Sequence, residues 1–246
     1  MDPFSFPPFA AVLDGTATLI GALAHVLESA MPSGVAVLMA MAVVTLALRA
    51  ALIPVGLANA KAQLARARLA PKVRALQRRH GTDAALLARK TQELYAAEGV
   101  SPFAGMLPAV LQIPVVSVLY GVFTRATVAG HANALLAHTV LGTPLGASFA
   151  QLLTTGTLAG LALPTALLVA IVVVAVASRA LALQSARRAD PDAPGPTRLS
   201  AVLSWLPLLS AVFAALAPVA ASVYLVVSIS WASAERTIAM RRYLAA

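Results

Sequence analysis

The 246-residue chain has no cysteine. A disulfide framework, a thiolate metal site, a cysteine nucleophile and a lipidated N-terminal cysteine are thereby excluded. Histidine is scarce too, with four residues scattered at positions 25, 80, 131 and 138, so no metal site is expected. Neither a Walker-type phosphate loop nor a zinc-protease helix motif occurs, and no nucleophile-base pair or paired acids suggest an intramembrane hydrolase. Charge of any kind is thin, at 11% of residues, and acidic charge thinnest, with 9 Asp and Glu against 18 Lys and Arg.

What remains is apolar. Sixty per cent of the residues are hydrophobic and the mean hydropathy is +0.85, beyond what a water-facing surface tolerates. The class implied is all-α, a polytopic membrane protein. A basic excess in such a chain points to nucleic acid, to anionic lipid or to loops retained in the cytoplasm, and the positions of the charges must decide.

Charge-free runs locate five spans. Residues 34–57 hold a single charge, Arg49, and a helix of that length exceeds a hydrocarbon core of about 30 Å. Residues 102–124 form the second span, bent by Pro108 and Pro114. Residues 125–155 contain Gly130, His131, Asn133, His138 and "GTPLG" and read as an external loop, leaving 156–180 as the third span. The uncharged run 199–234 would measure roughly 54 Å as one helix, so it is divided near Pro218 into spans 199–217 and 218–235.

Basic residues set the topology. Segment 58–101, loop 181–198 with Arg187, Arg188 and Arg198, and tail 236–246 with Arg236, Arg241 and Arg242 are expected in the cytoplasm. With five spans the N-terminus then lies outside, where Asp2, Asp14 and Glu28 have no Lys or Arg beside them. Segment 1–33 lacks the basic start of a cleaved signal peptide. Its apolar residues Phe9, Leu13, Ala17, Ile20, Leu23, Ala24 and Leu27 recur at helical spacing, which predicts an amphipathic helix on the outer membrane surface.

The cytoplasmic segment reads as a helical hairpin, with Gly81 ending one arm and Thr82 or Asp83 capping the next. Nine basic and three acidic residues over 60–101 give it a net charge of +6. Lys61, Arg66, Arg68, Lys72, Arg74, Arg78 and Arg79 crowd its first arm. Topological anchoring accounts for such charge as readily as docking to anionic lipid, to ribosomal RNA or to a targeting factor. With one aromatic residue and no recognition motif, sequence-specific nucleic-acid binding is not expected.

Two long stretches now carry a resemblance. "TLALRAALIPVGLANAKAQLARARLAPKVRALQRRHGTD" and "LYAAEGVSPFAGMLPAVLQIPVVSVLYGVF" resemble the core of the YidC family of membrane protein insertases, and "LPLLSAVFAALAPVAASVYLVVS" resembles that family's last two spans. The matching positions are Arg49, Leu69 to Lys72, Ser101, Pro102, Ala104, Gly105, Pro108, Gln112, Pro114, Pro207 and Pro218. The likeness runs from about residue 9 to about residue 240 and is to the shorter Gram-positive or actinobacterial type. Two departures stand out: Pro218 is followed by Val219 and Ala220 rather than a small residue and Gly, and Tyr224 by Leu225 rather than a second tyrosine.

The resemblance implies an insertase in the bacterial cell membrane, not an enzyme, working without a cofactor. Its implied partners are nascent membrane proteins and the lipid bilayer, with the ribosome, the signal recognition particle pathway and the Sec translocon as further candidates. It also implies a hydrated groove open to cytoplasm and lipid and closed toward the outside. On one continuous helix Thr45, Arg49, Leu52, Gly56, Asn59 and Gln63 would share a stripe, so the groove candidates are Arg49 and Thr45, with Gln112, Ser117 and Tyr224 lining the far side. A guanidinium facing lipid near mid-depth costs about 2.5–3.5 kcal/mol, a cost that water in a groove would relieve. Snorkelling of Arg49 to the inner interface, and ordinary interhelical hydrogen bonds for Gln112 and Tyr224, are the structural alternatives. A secondary transporter or lipid-moving protein is the competing class, but no Asp or Glu falls within the uncharged runs, as ion coupling would ask.

Overall fold

A computed structural model describes residues 7–100, 107–128, 130–155, 158–189 and 204–244. The chain divides into two compact units, one of Met1–Ala51, Pro114–Ala180 and Pro196–Ser233, the other of Leu52–Ile113, Leu181–Gly195 and Ala234–Ala246. The protein is an all-α polytopic membrane protein. Among the described residues three helical stretches, Pro7–Leu27, Ser33–Ala51 and Ala159–Gln184, are long and apolar enough to cross a membrane.

The first unit begins with α1 (Pro7–Leu27) and α2 (Ser33–Ala51). A tight turn joins them, in which Ala30 and Met31 donate backbone hydrogen bonds to Leu27 at 3.0 and 3.2 Å. The two helices pack as an antiparallel hairpin, bringing Phe9 and Val12 beside Val44 and Leu48. By length and composition α1 can itself cross a membrane. The reason is visible on α1 itself: Leu13, Ile20 and Ala24 are buried, while Val12, Leu19 and Val26 form a second apolar stripe that is exposed. Two apolar faces suit a neighbour on one side and lipid on the other.

The same unit contains the end of α5 (Leu107–Thr124), most of α7 (Ala162–Ala189), α8 (Leu209–Leu216) and the first turns of α9 (Val219–Leu244). Its core gathers Ile20, Val37, Met41, Val122, Phe123 and Leu145. Removing a buried ring such as Phe123 from such a core costs about 3–5 kcal/mol. Between α7 and α9 the hydroxyls of Ser178 and Ser233 are hydrogen-bonded at 2.5 Å. Helix α7 runs on to Ala189 and α9 to Leu244, both past the expected ends of their spans.

The described part of the segment between α5 and α7 is folded. Two short antiparallel pairs, β1 (Thr127–Val128) with β2 (His131–Ala132) and β3 (Thr139–Val140) with β4 (Thr143–Pro144), are followed by α6 (Phe149–Thr155). Ser148 and Gln151 cap α6 reciprocally: Gln151 N donates to Ser148 Oγ at 3.2 Å and Ser148 N to Gln151 Oε1 at 3.0 Å.

The second unit holds α3 (Ile53–His80) and α4 (Ala84–Ala97), the two arms of the expected hairpin. Asp83 is the N-cap of α4, its carboxylate accepting from Leu86 N at 2.9 Å. Gly81 ends α3 in the right-handed region, at φ −63°, so left-handed freedom is not why glycine stands there. A Cβ at 81 would crowd the carbonyl of Gln77, and glycine removes that conflict. At the far end of α4, Gly99 adopts φ +65° while Gly99 N and Val100 N donate to Ala96 and Tyr95, a Schellman closure.

Candidate functional site

Between α2 and α3 the helix is interrupted at Leu52. Pro54 explains the break, because it has no N–H for the carbonyl four residues earlier and its ring crowds that turn. The interruption changes the setting of Arg49. It stands in the last turn of α2, where a cation is favoured by the partial negative charge of the helix end, rather than eight residues inside a longer span. The stripe drawn from Thr45 to Gln63 assumed one continuous helix and does not carry past Leu52.

Arg49 is half-buried, and among the described residues it makes no hydrogen bond or ion pair. Thr45, one turn earlier, is 0% exposed, and its hydroxyl donates to Met41 O of its own helix at 2.7 Å. The polarity that made Thr45 a lining candidate is thus satisfied locally, and the side chain belongs to the core. Tyr224 on α9 is also buried, 4% exposed, with its ring 6.1 Å from that of Phe123 and tilted by 49°. Ser117 on α5 is half-buried. The side chain of Gln112 lies outside the described residues. Of the lining candidates, Arg49 and Ser117 are the two with described, partly accessible side chains in the first unit.

A cavity of about 520 Å³ opens beside these helices, lined by Phe9 and Val12 of α1, Val44 and Leu48 of α2, and Pro114 and Val118 of α5. Its walls are almost wholly apolar, so it suits a hydrocarbon surface rather than water.

The cytoplasmic candidates divide by face. Lys61, Arg68, Lys72 and Arg79 are all exposed, and their spacings of 7, 4 and 7 place them along one side of α3 over about 27 Å. Leu69 is buried on another side. Arg66 and Arg74 are half-buried, with Arg74 Nε reaching Ala70 O at 3.4 Å, and Arg78 is exposed in the last turn. Lys72 pairs with Glu98 beyond α4 and so ties the two arms together. On α4, Glu93 accepts from Lys90 Nζ at 2.8 Å and lies 3.5 Å from Arg89. The Lys90 hydrogen bond, followed by the charges of Lys90 and Arg89, holds the Glu93 carboxyl below its ordinary range.

Sequence reasoning missed three polar positions. Arg179, near the end of the third span, stacks 3.8 Å from the ring centre of Trp205 and donates from Nε to Ser204 Oγ at 3.0 Å. Asn133, read as loop, is buried and holds the end of α5. Gly56 lies against the carboxylate of Glu235. Trp205 and the arginine had compositional cues for an interfacial anchor; the other two had none.

The chain matches the family model described as 60Kd inner membrane protein over residues 29–245. It is similar to proteins named membrane protein insertase YidC. In Legionella pneumophila (strain Corby) the identity is 36% over 83 residues, 34% of this chain and 15% of the relative. In Coxiella burnetii (strain Dugway 5J108-111) it is 41% over 56 residues, 23% and 10%. In Thiobacillus denitrificans the values are 33% over 87 residues, 35% and 16%. The matched stretches thus span less than a fifth of these relatives' length.

Proposed function

The chain belongs to the 60Kd inner membrane protein family, that of the YidC insertases, and from this premise we propose that it inserts nascent membrane proteins into the bilayer. The observation that carries the reading is Arg49: a permanent cation, half-buried at the end of an apolar helix, with no partner among the described residues. Leaving such a group without a counter-charge is costly unless water or a passing substrate solvates it. A hydrated groove beside α2, open to the cytoplasm and to lipid, resolves the cost. Ser117 is its proposed further lining.

In this reading a hydrophilic segment of the client enters the groove part-way and pairs transiently with Arg49, while its apolar helix leaves sideways into lipid. Partitioning of that helix, aided by the membrane potential at about 2.3 kcal/mol per charge per 100 mV, drives transfer without nucleotide. The exposed cations of α3 face the cytoplasm and supply an electrostatic landing for the ribosome, a targeting factor or anionic headgroups. The C-terminal tail is cytoplasmic by the same positive-inside argument. The packing of α1 along α2 supports a revised start: α1 crosses as well, returning residue 7 to the cytoplasmic side, in place of the external position expected from five spans.

Site-directed crosslinking of a stalled nascent chain to probes at positions 49 and 117 tests the groove. Crosslinks at these positions are expected. Crosslinks confined to exposed positions away from that cavity, such as Val26 and Val173, would reject it.

A further inference from the structure

The apolar stretch Ala159–Gln184 carries one charge, Arg179, and its surroundings hold that charge in one pose. The guanidinium lies 3.8 Å from the ring centre of Trp205, and its Nε donates to Ser204 Oγ at 3.0 Å. One residue earlier, the hydroxyls of Ser178 and Ser233 are hydrogen-bonded to each other and tie this turn of α7 to α9. All five residues belong to the first unit.

A guanidinium has five N–H donors, and the bond to Ser204 uses one. The other four have no acceptor, and the charge has no carboxylate, among the described residues. Because the side chain is half-buried, the missing counter-charge is costly. Stacking and the serine bond have already removed most of the rotamer freedom, and the two terminal amino groups present a planar fork that matches two oxygens of a phosphate.

Apolar stripes lead away from this fork. On α7, Val172 and Val176 are exposed at the i−7 and i−3 positions of Arg179, on its own face. On α8, which follows Trp205, Leu209, Val212 and Leu216 are exposed at spacings of 3 and 4. Both helices run from here to the segment between α5 and α7, where Gly160 O accepts from Thr143 and Val219 N donates to Ala147 O, so the stripes descend together. Each covers about 10 Å of the roughly 15 Å of hydrocarbon in one leaflet. A soluble phosphate has no use for such a surface, whereas a lipid needs both parts.

We propose that Arg179, Ser204 and Trp205 form a binding site for one phospholipid of net negative charge, its phosphate in the arginine fork and an acyl chain along the stripe of α8. The basic residues that follow α7 place this end of the helix on the cytoplasmic side, so the lipid belongs to that leaflet. A choline or ethanolamine head would bring a second cation against Arg179 and cancel the gain; a glycerol head does not. The site is independent of Arg49 and of the groove.

The chain has two tryptophans, so Trp231→Phe leaves Trp205 as the sole reporter of its own site. The full chain with that change is reconstituted in phosphatidylcholine vesicles, and quenching of the ring by brominated phosphatidylglycerol is compared with quenching by brominated phosphatidylcholine at equal content. Phosphatidylglycerol should occupy the site about tenfold more readily, the factor expected of charge-assisted hydrogen bonds. Arg179→Ala should bring the two lipids to parity, and Arg179→Lys should keep a reduced preference because a point charge remains. Ser204→Ala should lower the preference by about threefold with the charge intact. Ratios taken within one variant cancel changes in the ring's own brightness. Inorganic phosphate added to the vesicles should displace none of the lipid. Equal quenching by the two lipids in the protein that keeps Arg179 overturns the proposal even if every variant at 179 fails to fold. So does an undiminished preference in Arg179→Ala, or displacement by inorganic phosphate, which would assign the fork to a soluble anion.

Discussion

The carboxylate of Glu235, near the middle of α9, occupies the space that a Cβ on Gly56 of α3 would need. Glycine at 56 therefore serves a close approach, not a turn, since it lies within a regular helix. Gly56→Ala must push the acidic side chain aside, and overpacking of this kind costs about 1–3 kcal/mol. Thermal unfolding of the full chain in detergent should show the loss. Gly56→Ala combined with Glu235→Gly should recover most of it, and a fully stable single variant would show that the two residues are not in contact.

Arg49 supplies the second expectation. Arg49→Ala should slow insertion of clients whose translocated segments are acidic, by about tenfold or more, while Arg49→Lys should keep most of the activity because the charge remains. Reconstituted vesicles and a protease-protection readout measure it. Equal insertion by wild type and both variants would remove the charge from the mechanism.

The third concerns acid. Glu93 has a folded pKa held below the ordinary 4.5 by its hydrogen bond to Lys90 and the nearby charge of Arg89. A depressed carboxylate stabilises the folded hairpin fully above the unfolded pKa, and that contribution is lost as pH falls through the lower, folded value. Amide exchange along α4 in the full chain should therefore quicken below about pH 4, and Lys90→Ala should weaken this pH dependence. High salt should weaken it too, since the group is solvent-exposed. An unchanged profile in Lys90→Ala would assign the acid sensitivity to another carboxylate.

Sidedness gives the fourth. With α1 packed lengthwise on α2, a cysteine replacing Pro7 should react with an impermeant reagent only from the cytoplasmic side, and one replacing Glu28 only from outside. Labelling of both from outside would return α1 to the outer surface.

How much of this was legible in the residues differs by element. The hairpin was readable because its signals are local: Asp83 lies three residues before the amide it caps, and the turn sits between two apolar periodicities. The break at Leu52 had its cue in Pro54, but a charge-free run measures length and not continuity, so the run hid it. Thr45 and Tyr224 were read as groove lining because polarity within a span suggests water; instead the threonine bonds to its own helix and the tyrosine offers its ring to Phe123. The docking of the segment between α5 and α7 was illegible for a different reason. Its contacts join Gly34 to Thr139 and Leu145 to Ala220, pairs brought together by the tertiary fold, which no local spacing can announce.

The interruption after α2 has one more implication. Pro54 cannot donate to the main-chain oxygen of Ala50, the residue directly after Arg49, so an acceptor is released from the ordinary helical ladder beside the guanidinium. That oxygen belongs to the backbone and survives every side-chain exchange at position 49. A lone water molecule could lodge there even in Arg49→Ala, leaving a foothold of wetness that fades only when proline 54 itself is replaced by a residue bearing an amide hydrogen.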